Sequence, residues 1–274
     1  MHIAIIGTGR MGIAQARLAR LNGDTIAFGI DTDSNARKFF ETTFDIKCFS
    51  AISEANWNAV ELVWVTVCDD QISEIARQLY SHIPSSCVVF HTSGLHTSQC
   101  LRQHLPYHPC ASIHPLMSCP LKTLDDTACY ETYRGVIHTL EGDEAALEIA
   151  DILVARLNGQ GVRITKEQKP LYHAAAVFAS NYPVILLQMA VEIFEQCGFA
   201  HLDALAGARR LFSQSALSCQ IAEPIEALTG PAKRRDLTTI QKHMEALADD
   251  SMHIEAYRTL LKATQRMIGW NPKT

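Results

Sequence analysis

Lys169 and His173 are four residues apart at the start of a long apolar run, and Asn181 follows two helical turns later. Imidazole titrates near neutral pH, so His173 is our first candidate for an acid that donates a proton to a reacting oxygen. Lys169 is the rival donor, and Asn181 is a candidate polar contact. Each also has a structural reading: a histidine packed between helices, a solvated lysine, and an asparagine beside the kink that Pro183 introduces.

Three further polar residues follow apolar strand-like segments, where binding residues are common. His114 lies in a segment, 105–120, whose Pro, His and Cys content predicts a loop. Its imidazole is a candidate substrate contact, or equally a bond to the loop backbone. The Ser93-Gly94 pair and Ser118 are placed to offer hydroxyl or N–H groups to a substrate carboxylate, or else serve as ordinary turn residues.

A basic turn near residue 235 is the remaining candidate. Thr229-Gly-Pro231 leads to Arg235 and Asp236 at a predicted helix start, an arrangement that favours anions. Arg235 is a candidate for a bidentate clamp on a carboxylate, or the partner of Asp236 in an ion pair. The histidines lack the His-x-x-x-His spacing of metal sites and no acidic pair accompanies them, so we predict no metal.

A glycine turn near the N-terminus predicts the elements that position these residues. Gly7 permits a tight turn after the strand, Gly9 lets the backbone approach a pyrophosphate, and Gly12 lets the following helix pack closely. Asp31 follows at the end of the next strand, at the spacing of a carboxylate that grips a ribose 2′-OH. This pattern predicts dinucleotide binding. The expected cofactor contacts are Gly7, Thr8, Gly9, Arg10, Met11, Gly12, Asp31, Val67, Cys68 and Ser93.

Strand and helix patterns alternate through the first part of the chain, and only helical patterns follow Pro170. We therefore predict an α/β fold, with an N-terminal Rossmann doubly wound, mostly parallel sheet over 1–166 and an all-α domain over 167–274. Ligands of such sheets bind at the carboxyl ends of the strands. The substrate cleft is therefore expected at 7–12, 66–70, 91–94 and 112–118.

Composition excludes several classes of protein. The net charge of −5 provides no basic field for nucleic acid, and the nine cysteines contain no Cys-x-x-Cys pair. We expect reduced thiols and a cytoplasmic protein. The first strand begins at residue 3, leaving no room for a signal peptide, and we predict no apolar run of the ~18 residues that a membrane span needs. The apolar helix over 170–197 suggests a homodimer formed through the helical domain.

Three separated motifs carry a resemblance that covers essentially the whole chain. They are Ser112-Ile-His-Pro-Leu-Met-Ser118, Tyr172-His-Ala-Ala-Ala-Val-Phe-Ala-Ser-Asn-Tyr182, and Leu228-Thr-Gly-Pro-Ala-Lys-Arg-Arg-Asp236 followed by His243. Together they resemble the Rossmann-like proteins with a DUF2520 C-terminal domain, within the 6-phosphogluconate dehydrogenase-like superfamily. The related β-hydroxyacid dehydrogenases place a Lys and an Asn four residues apart at the start of this helix. Here the second position is His173.

The resemblance implies an NAD(P)H-dependent oxidoreductase of a small 2-oxo acid, most specifically ketopantoate, in pantothenate synthesis. Imine reduction, as in pyrroline-5-carboxylate reductases, and a non-catalytic nicotinamide sensor are the alternatives. Asp31 favours NADH because a carboxylate repels a 2′-phosphate, although Ser34 and Arg37 lie close enough in sequence to accept one.

Overall fold

The computed structural model describes residues 1–119 and 122–271 of the chain. Within this part, eight strands form one sheet in the order β3-β2-β1-β4-β5-β6-β7-β8. Every neighbouring pair is parallel except β6 and β7. The strands are β1 (His2–Ile6), β2 (Thr25–Ile30), β3 (Cys48–Phe49), β4 (Leu62–Val65), β5 (Val88–His91), β6 (Cys110–Pro115), β7 (Ile137–Gly142) and β8 (Gln160–Arg163).

Twelve α-helices connect and follow these strands in the described residues. They are α1 (Arg10–Leu21), α2 (Ser34–Phe44), α3 (Ile72–Leu79), α4 (Gln99–Arg102), α5 (Asp126–Tyr133), α6 (Glu144–Ala155), α7 (Lys169–Gln196), α8 (His201–Ile221), α9 (Pro224–Ala227), α10 (Gly230–Arg234), α11 (Leu237–Ala246) and α12 (Ser251–Met267). The predicted α/β class, with a mostly parallel sheet followed by helices, is therefore confirmed.

Side chains alternate across the central strand and bury both faces of the sheet. On β1, Ile3 and Ile5 join a core that contains Phe40 and Trp64. Ala4, the next residue after Ile3, joins a second core on the opposite face. Because consecutive residues of a strand point to opposite faces, two helical layers are needed to cover this sheet, and the near-continuous apolar strands reflect that double burial.

The chain divides into two compact units, Met1–Ser180 and Asn181–Thr274. The first contains the whole sheet together with the first twelve residues of α7. The second is helical, and its buried centre includes Val191, Ala204 and Ala208. The division by compactness thus places 167–180 with the sheet, whereas the sequence pattern changes at 166.

Two sequence predictions need correction. The segment 105–120 is not a loop throughout: 110–115 form β6, which is buried between β5 and β7. Its Pro115 stands at the strand end, where its missing N–H is tolerated. In addition, α7 is long and apolar enough to cross a membrane by length and composition, with a mean hydropathy of 1.5 over its best 18-residue window, of which 6% is buried.

Candidate active site

The glycine turn between β1 and α1 is held by close backbone packing. Gly7 has φ +87°, and a Cβ there would lie 2.8 Å from the backbone of Thr66 and Val67. A Cβ on Gly12 would overlap the carbonyl oxygen of Gly7. The Thr66 hydroxyl donates to that same Gly7 oxygen at 2.6 Å. Glycine is therefore required at both positions. At Gly7 both the positive φ and the lack of space exclude a side chain, and at Gly12 the lack of space does.

Gly9 differs from its two neighbours, because a Cβ added to it would meet nothing within 4 Å. It is the N-cap of α1, no side chain caps the helix, and no acidic residue lies in the first turn. The first N–H groups of α1 therefore remain available to an anion. The adjoining cleft encloses about 630 Å³, its open mouth included. Its lining includes Ile6, Gly7, Gly9, Ile30, Asp31, Thr32, Thr66, Val67, Cys68, Gln71 and Ile75.

Asp31 is tied to the glycine turn. One carboxylate oxygen accepts from the Thr8 N–H at 2.7 Å and from the Thr8 hydroxyl at 3.0 Å, while the other accepts from the Asp33 N–H at 2.9 Å. The guanidinium of Arg37 donates to the carbonyls of Asp31 and Thr32. Asp31 thus anchors the turn and also lines the cleft, where a sugar hydroxyl is able to share its acceptors.

Of the other predicted cofactor contacts, some line the cleft and others have different surroundings. Val67 and Cys68 line the cleft. Arg10 is exposed at the start of α1. The thioether of Met11 instead accepts from the hydroxyl of Tyr133 at 3.4 Å, so its side chain serves packing. Ser93 is buried, and its hydroxyl donates to Asp69 at 2.7 Å.

Two imidazoles meet at Gly94, directly after Ser93. A Cβ on Gly94 would lie 2.5 Å from His173 Nδ1 and 3.1 Å from His114 Nε2. The two ring centroids are 6.1 Å apart at an interplanar angle of 82°. His173 Nδ1 is buried and has no hydrogen-bond partner in the described structure. The structure therefore brings together two residues that the sequence placed in separate motifs.

His114 is held in a fixed orientation. Its Nδ1 shares a 2.6 Å hydrogen bond with the hydroxyl of Tyr172, and the two rings pack edge to face. Burial, followed by the nearby charges of Lys169 and His173, lowers the pKa of His114 to about 4. The imidazole is therefore neutral at neutral pH, with Nε2 directed toward the Gly94 side.

Lys169 lies beneath this cluster rather than on the surface. It is 1% exposed, and its ammonium donates to the Ser93 carbonyl at 3.2 Å and to the Ser112 hydroxyl at 2.5 Å. Burial lowers the pKa of Lys169 to about 8, against the opposing charges of Glu141, Cys100 and Asp69. The solvated-lysine alternative is therefore wrong.

The remaining predicted site residues lie elsewhere. Ser118 is exposed beyond the end of β6. Asn181 and Arg235 belong to the second unit, where Arg235 follows α10 with a left-handed φ of +58°. Asp236 caps α11 by accepting from the N–H and hydroxyl of Thr239. In the described residues no ion pair joins Arg235 to Asp236, which corrects that alternative.

Sequence reasoning missed three members of the cluster: Tyr172, Ser112 and Asp69. The first two lie inside the motifs that carried the resemblance, immediately before His173 and two residues before His114. These positions, beside the two histidines, were the only sequence signal that could have identified them as site residues. Asp69 follows the third strand pattern, in a segment already expected at the cleft, and its bond to the Ser93 hydroxyl was not predictable from spacing.

Comparison with known proteins supports the fold. Residues 136–264 match the family model described as a domain of unknown function, DUF2520, so the resemblance is confirmed for that segment. No curated protein matches the chain. A Bacteroides fragilis protein provisionally assigned as an NADP oxidoreductase is 21% identical with a TM-score of 0.77, covering 96% of this chain and 97% of that one.

Two other solved structures extend the comparison. The Thermotoga maritima protein TM1727 is 23% identical with a TM-score of 0.75, covering 97% of this chain and 98% of its own. A pyrroline-5-carboxylate reductase from Coxiella burnetii is 15% identical with a TM-score of 0.58, covering 100% and 99%. At these identities the likeness establishes the fold alone, a Rossmann-like sheet with a helical C-terminal region.

Proposed function

We propose that this chain is an NAD(P)H-dependent reductase of a small 2-oxo acid. The observation that carries the proposal is the meeting of His114 and His173 at Gly94, above the buried ammonium of Lys169. The reduction of a carbonyl requires an acid and a positive charge near the reacting oxygen, and the candidates for both lie close to one backbone position.

The glycine turn fits a dinucleotide. The open face of Gly9 and the uncapped start of α1 suit a pyrophosphate, and Asp31 suits a ribose diol. The cofactor, when bound, supplies the hydride. The similarity to the provisionally assigned NADP oxidoreductase supports a nicotinamide cofactor, and the Asp31 carboxylate favours NADH in our proposal.

The chain's own residues then orient and protonate the substrate. In our proposal His173 donates the proton that neutralises the developing alkoxide, since its Nδ1 has no protein partner among the described residues. His114 stays neutral and holds the carbonyl by a hydrogen bond, with its ring oriented by Tyr172. Lys169 supplies a fixed positive charge without leaving its buried position.

The positive charge of Lys169 favours the reduction of a ketone over the reduction of an imine. The iminium form of a cyclic imine carries its own proton and a positive charge, so a buried ammonium nearby opposes its binding. A ketone, by contrast, gains negative charge on oxygen as it is reduced and is favoured by that ammonium. We therefore favour a 2-oxo acid, with ketopantoate as the most specific candidate, although a pyrroline-5-carboxylate reductase shares the fold.

The test is oxidation of NADH and NADPH against a panel of 2-oxo acids, ketopantoate included, and of cyclic imines. We expect turnover with 2-oxo acids, and His173→Gln should lower kcat by about 10²–10⁴-fold with unchanged cofactor affinity. His82→Gln, which replaces an exposed histidine of the same unit, is the matched control. Turnover of imines alone identifies the alternative enzyme, and cofactor binding without any turnover indicates a sensor.

A further inference from the structure

Several N–H groups of the loop after β5 have hydrogen-bond partners in the described structure. The Ser93 N–H donates to His91 Nδ1, and the N–H groups of Leu95 and His96 donate to the Ser93 hydroxyl. The N–H of Gly94 has no partner in the part of the chain that the structure describes, although Gly94 is buried. Buried backbone N–H groups are rarely left unpaired, so this one indicates a ligand.

The other side of the same peptide is saturated with donors. The Ser93 carbonyl accepts from the Lys169 ammonium at 3.2 Å and from the Ser112 hydroxyl at 3.0 Å. Lys169 also donates to that hydroxyl, which closes a three-membered network around one carbonyl oxygen. An ammonium and a hydroxyl thus both donate hydrogen bonds to a single backbone oxygen.

The Ser93–Gly94 peptide is trans, so its N–H points away from the carbonyl and from Lys169. Amide resonance couples the carbonyl and the N–H of this peptide. A hydrogen bond donated to the carbonyl oxygen therefore makes the N–H a stronger donor. The same residue lies against His173 Nδ1, which is also buried and unpartnered in the described structure. Two adjacent polar groups without partners mark one binding position.

We propose that the Ser93–Gly94 peptide binds an anionic oxygen of a small carboxylate substrate through the Gly94 N–H, and that Lys169 is the positioning residue that strengthens this donor. The proposal rests on the proposed reductase function and names the group that receives its substrate. From the sequence, Lys169 is the rival candidate for direct proton donation. Here Lys169 is 1% exposed and both observed bonds go to protein oxygens, so it acts through the peptide.

The charges around Lys169 allow its state to be followed. Glu141, Cys100 and Asp69 face the ammonium and oppose the effect of burial, which lowers the pKa of Lys169 to about 8. His91 and His114, the nearest imidazoles whose pKa values it depresses, are neutral at that pH. His173 also lies against Gly94, so the Lys169→Met variant, which removes the ammonium, assigns a titration near pH 8 at the Ser93 carbonyl to Lys169.

One NMR peak isolates this peptide. Ser93-Gly94 is the only Ser-Gly pair in the sequence, so labelling serine carbonyl carbon with ¹³C and glycine nitrogen with ¹⁵N yields one correlated signal. In the full chain with bound NAD⁺, we expect its ¹³C shift to titrate near pH 8. We expect added oxalate, a mimic of a 2-oxo acid, to move the Gly94 N–H proton downfield.

Lys169→Met removes the ammonium while keeping an apolar stem of similar length, and Lys166→Met, at a lysine side chain that is 70% exposed, is the matched control. We expect Lys169→Met to abolish the pH 8 titration and to weaken oxalate binding about tenfold or more, with NADH affinity unchanged. Ser112→Ala, which removes one donor and keeps the cation, should give a smaller loss in the same direction.

The proposal is overturned if oxalate leaves the Gly94 signal unmoved or if Lys169→Met binds oxalate as the native chain does. Failure of the reductase function looks different: NAD(P)H does not bind, or no 2-oxo acid is turned over. A Gly94 signal that still responds to oxalate in that case retains the anion site and rejects only the reaction.

Discussion

The glycine turn at Gly7 to Gly12 and the cluster at Gly94 are both built around glycine, but for opposite reasons. In the turn, Gly7 and Gly12 are surrounded by backbone atoms, and Gly9 is open. At Gly94 the neighbours are the imidazoles of two distant residues, His114 and His173. The glycines of the turn leave space for the protein's own backbone, whereas Gly94 leaves space for two imidazole side chains.

This difference separates a site formed by local sequence from one formed by the fold. The turn is a contiguous segment whose geometry follows from residue types at fixed spacing. The cluster needs β5, β6 and the start of α7 to converge, because its members lie far apart in the chain. Substitutions at the two places should accordingly damage different properties.

Gly94→Ala is the strongest test of that contrast. Its Cβ would lie 2.5 Å from His173 Nδ1, so the ring must move while the backbone remains in place. We expect kcat to fall about 10²-fold or more, because displacing a reacting group by 1 Å costs that much, with NADH affinity unchanged. Steady-state kinetics and cofactor titration measure both.

Gly9→Ala is the matched substitution in the turn. Its Cβ meets no protein atom within 4 Å, so the melting temperature should stay near that of the native chain, while cofactor affinity falls. If Gly94→Ala weakened the cofactor and Gly9→Ala spared it, the assignment of the two glycines would be reversed.

Lys169→Met should stabilise the chain although it damages the site. Burial lowers the pKa of Lys169 from its usual 10.5 to about 8, which corresponds to about 3 kcal/mol of folding free energy lost below pH 8. Methionine removes that cost, and the Ser112 hydroxyl still donates to the Ser93 carbonyl. Chemical denaturation at pH 7 measures the gain.

The pH dependence of stability tests independently whether the buried Lys169 destabilises the native chain. Between pH 8 and 10.5 the unfolded chain keeps a proton on Lys169 that the folded chain has released, so native stability rises with pH there. The stability gap between Lys169→Met and the native chain should therefore narrow across that interval. A variant that is less stable than the native chain at pH 7 would make Lys169 a structural residue.

Asp31→Asn tests the cofactor preference of the turn. The carboxylate opposes a 2′-phosphate by up to about 4 kcal/mol at 4 Å and an effective dielectric near 20, so the native chain should bind NADH more tightly. Asparagine removes the charge and keeps one acceptor oxygen for the Thr8 N–H, while its amide nitrogen takes the place of the oxygen that accepts from the Asp33 N–H. We expect the NADH-to-NADPH affinity ratio to fall about tenfold or more. Tighter NADPH binding by the native chain would reject this role of Asp31.

The sequence predicted the turn because its chemistry is local. Gly7, Gly9 and Gly12 are identifiable by spacing, and the structure places them between β1 and α1 as expected. The segment 110–115 was misread, because His114 and Pro115 are poor strand formers in isolation. Pairing with β5 and β7 overrides that local preference.

The cluster was only partly predictable for the same reason. His173, Lys169 and His114 were selected by residue type, but spacing along the chain held no information on their meeting at Gly94. The burial of Lys169 also runs against the ordinary surface preference of lysine. Hydrogen bonds to Ser93 and Ser112 and the nearby carboxylates of Glu141 and Asp69 offset part of its cost. Such a position depends on tertiary structure.

Arg235 provides the smallest expected effect and tests whether the comparison extends to the second unit. Its φ of +58° is costly for a residue with a Cβ, so Arg235→Gly should raise stability by roughly 1 kcal/mol while removing the guanidinium. Arg235→Lys keeps a positive charge and also keeps the backbone strain, because lysine has a Cβ. If Arg235 clamps a substrate carboxylate, the glycine variant should raise KM with NADH affinity unchanged, and lysine should restore part of the loss. Equal KM values in both variants and the native chain would leave Arg235 outside the substrate site, and the stability gain would then be its whole contribution.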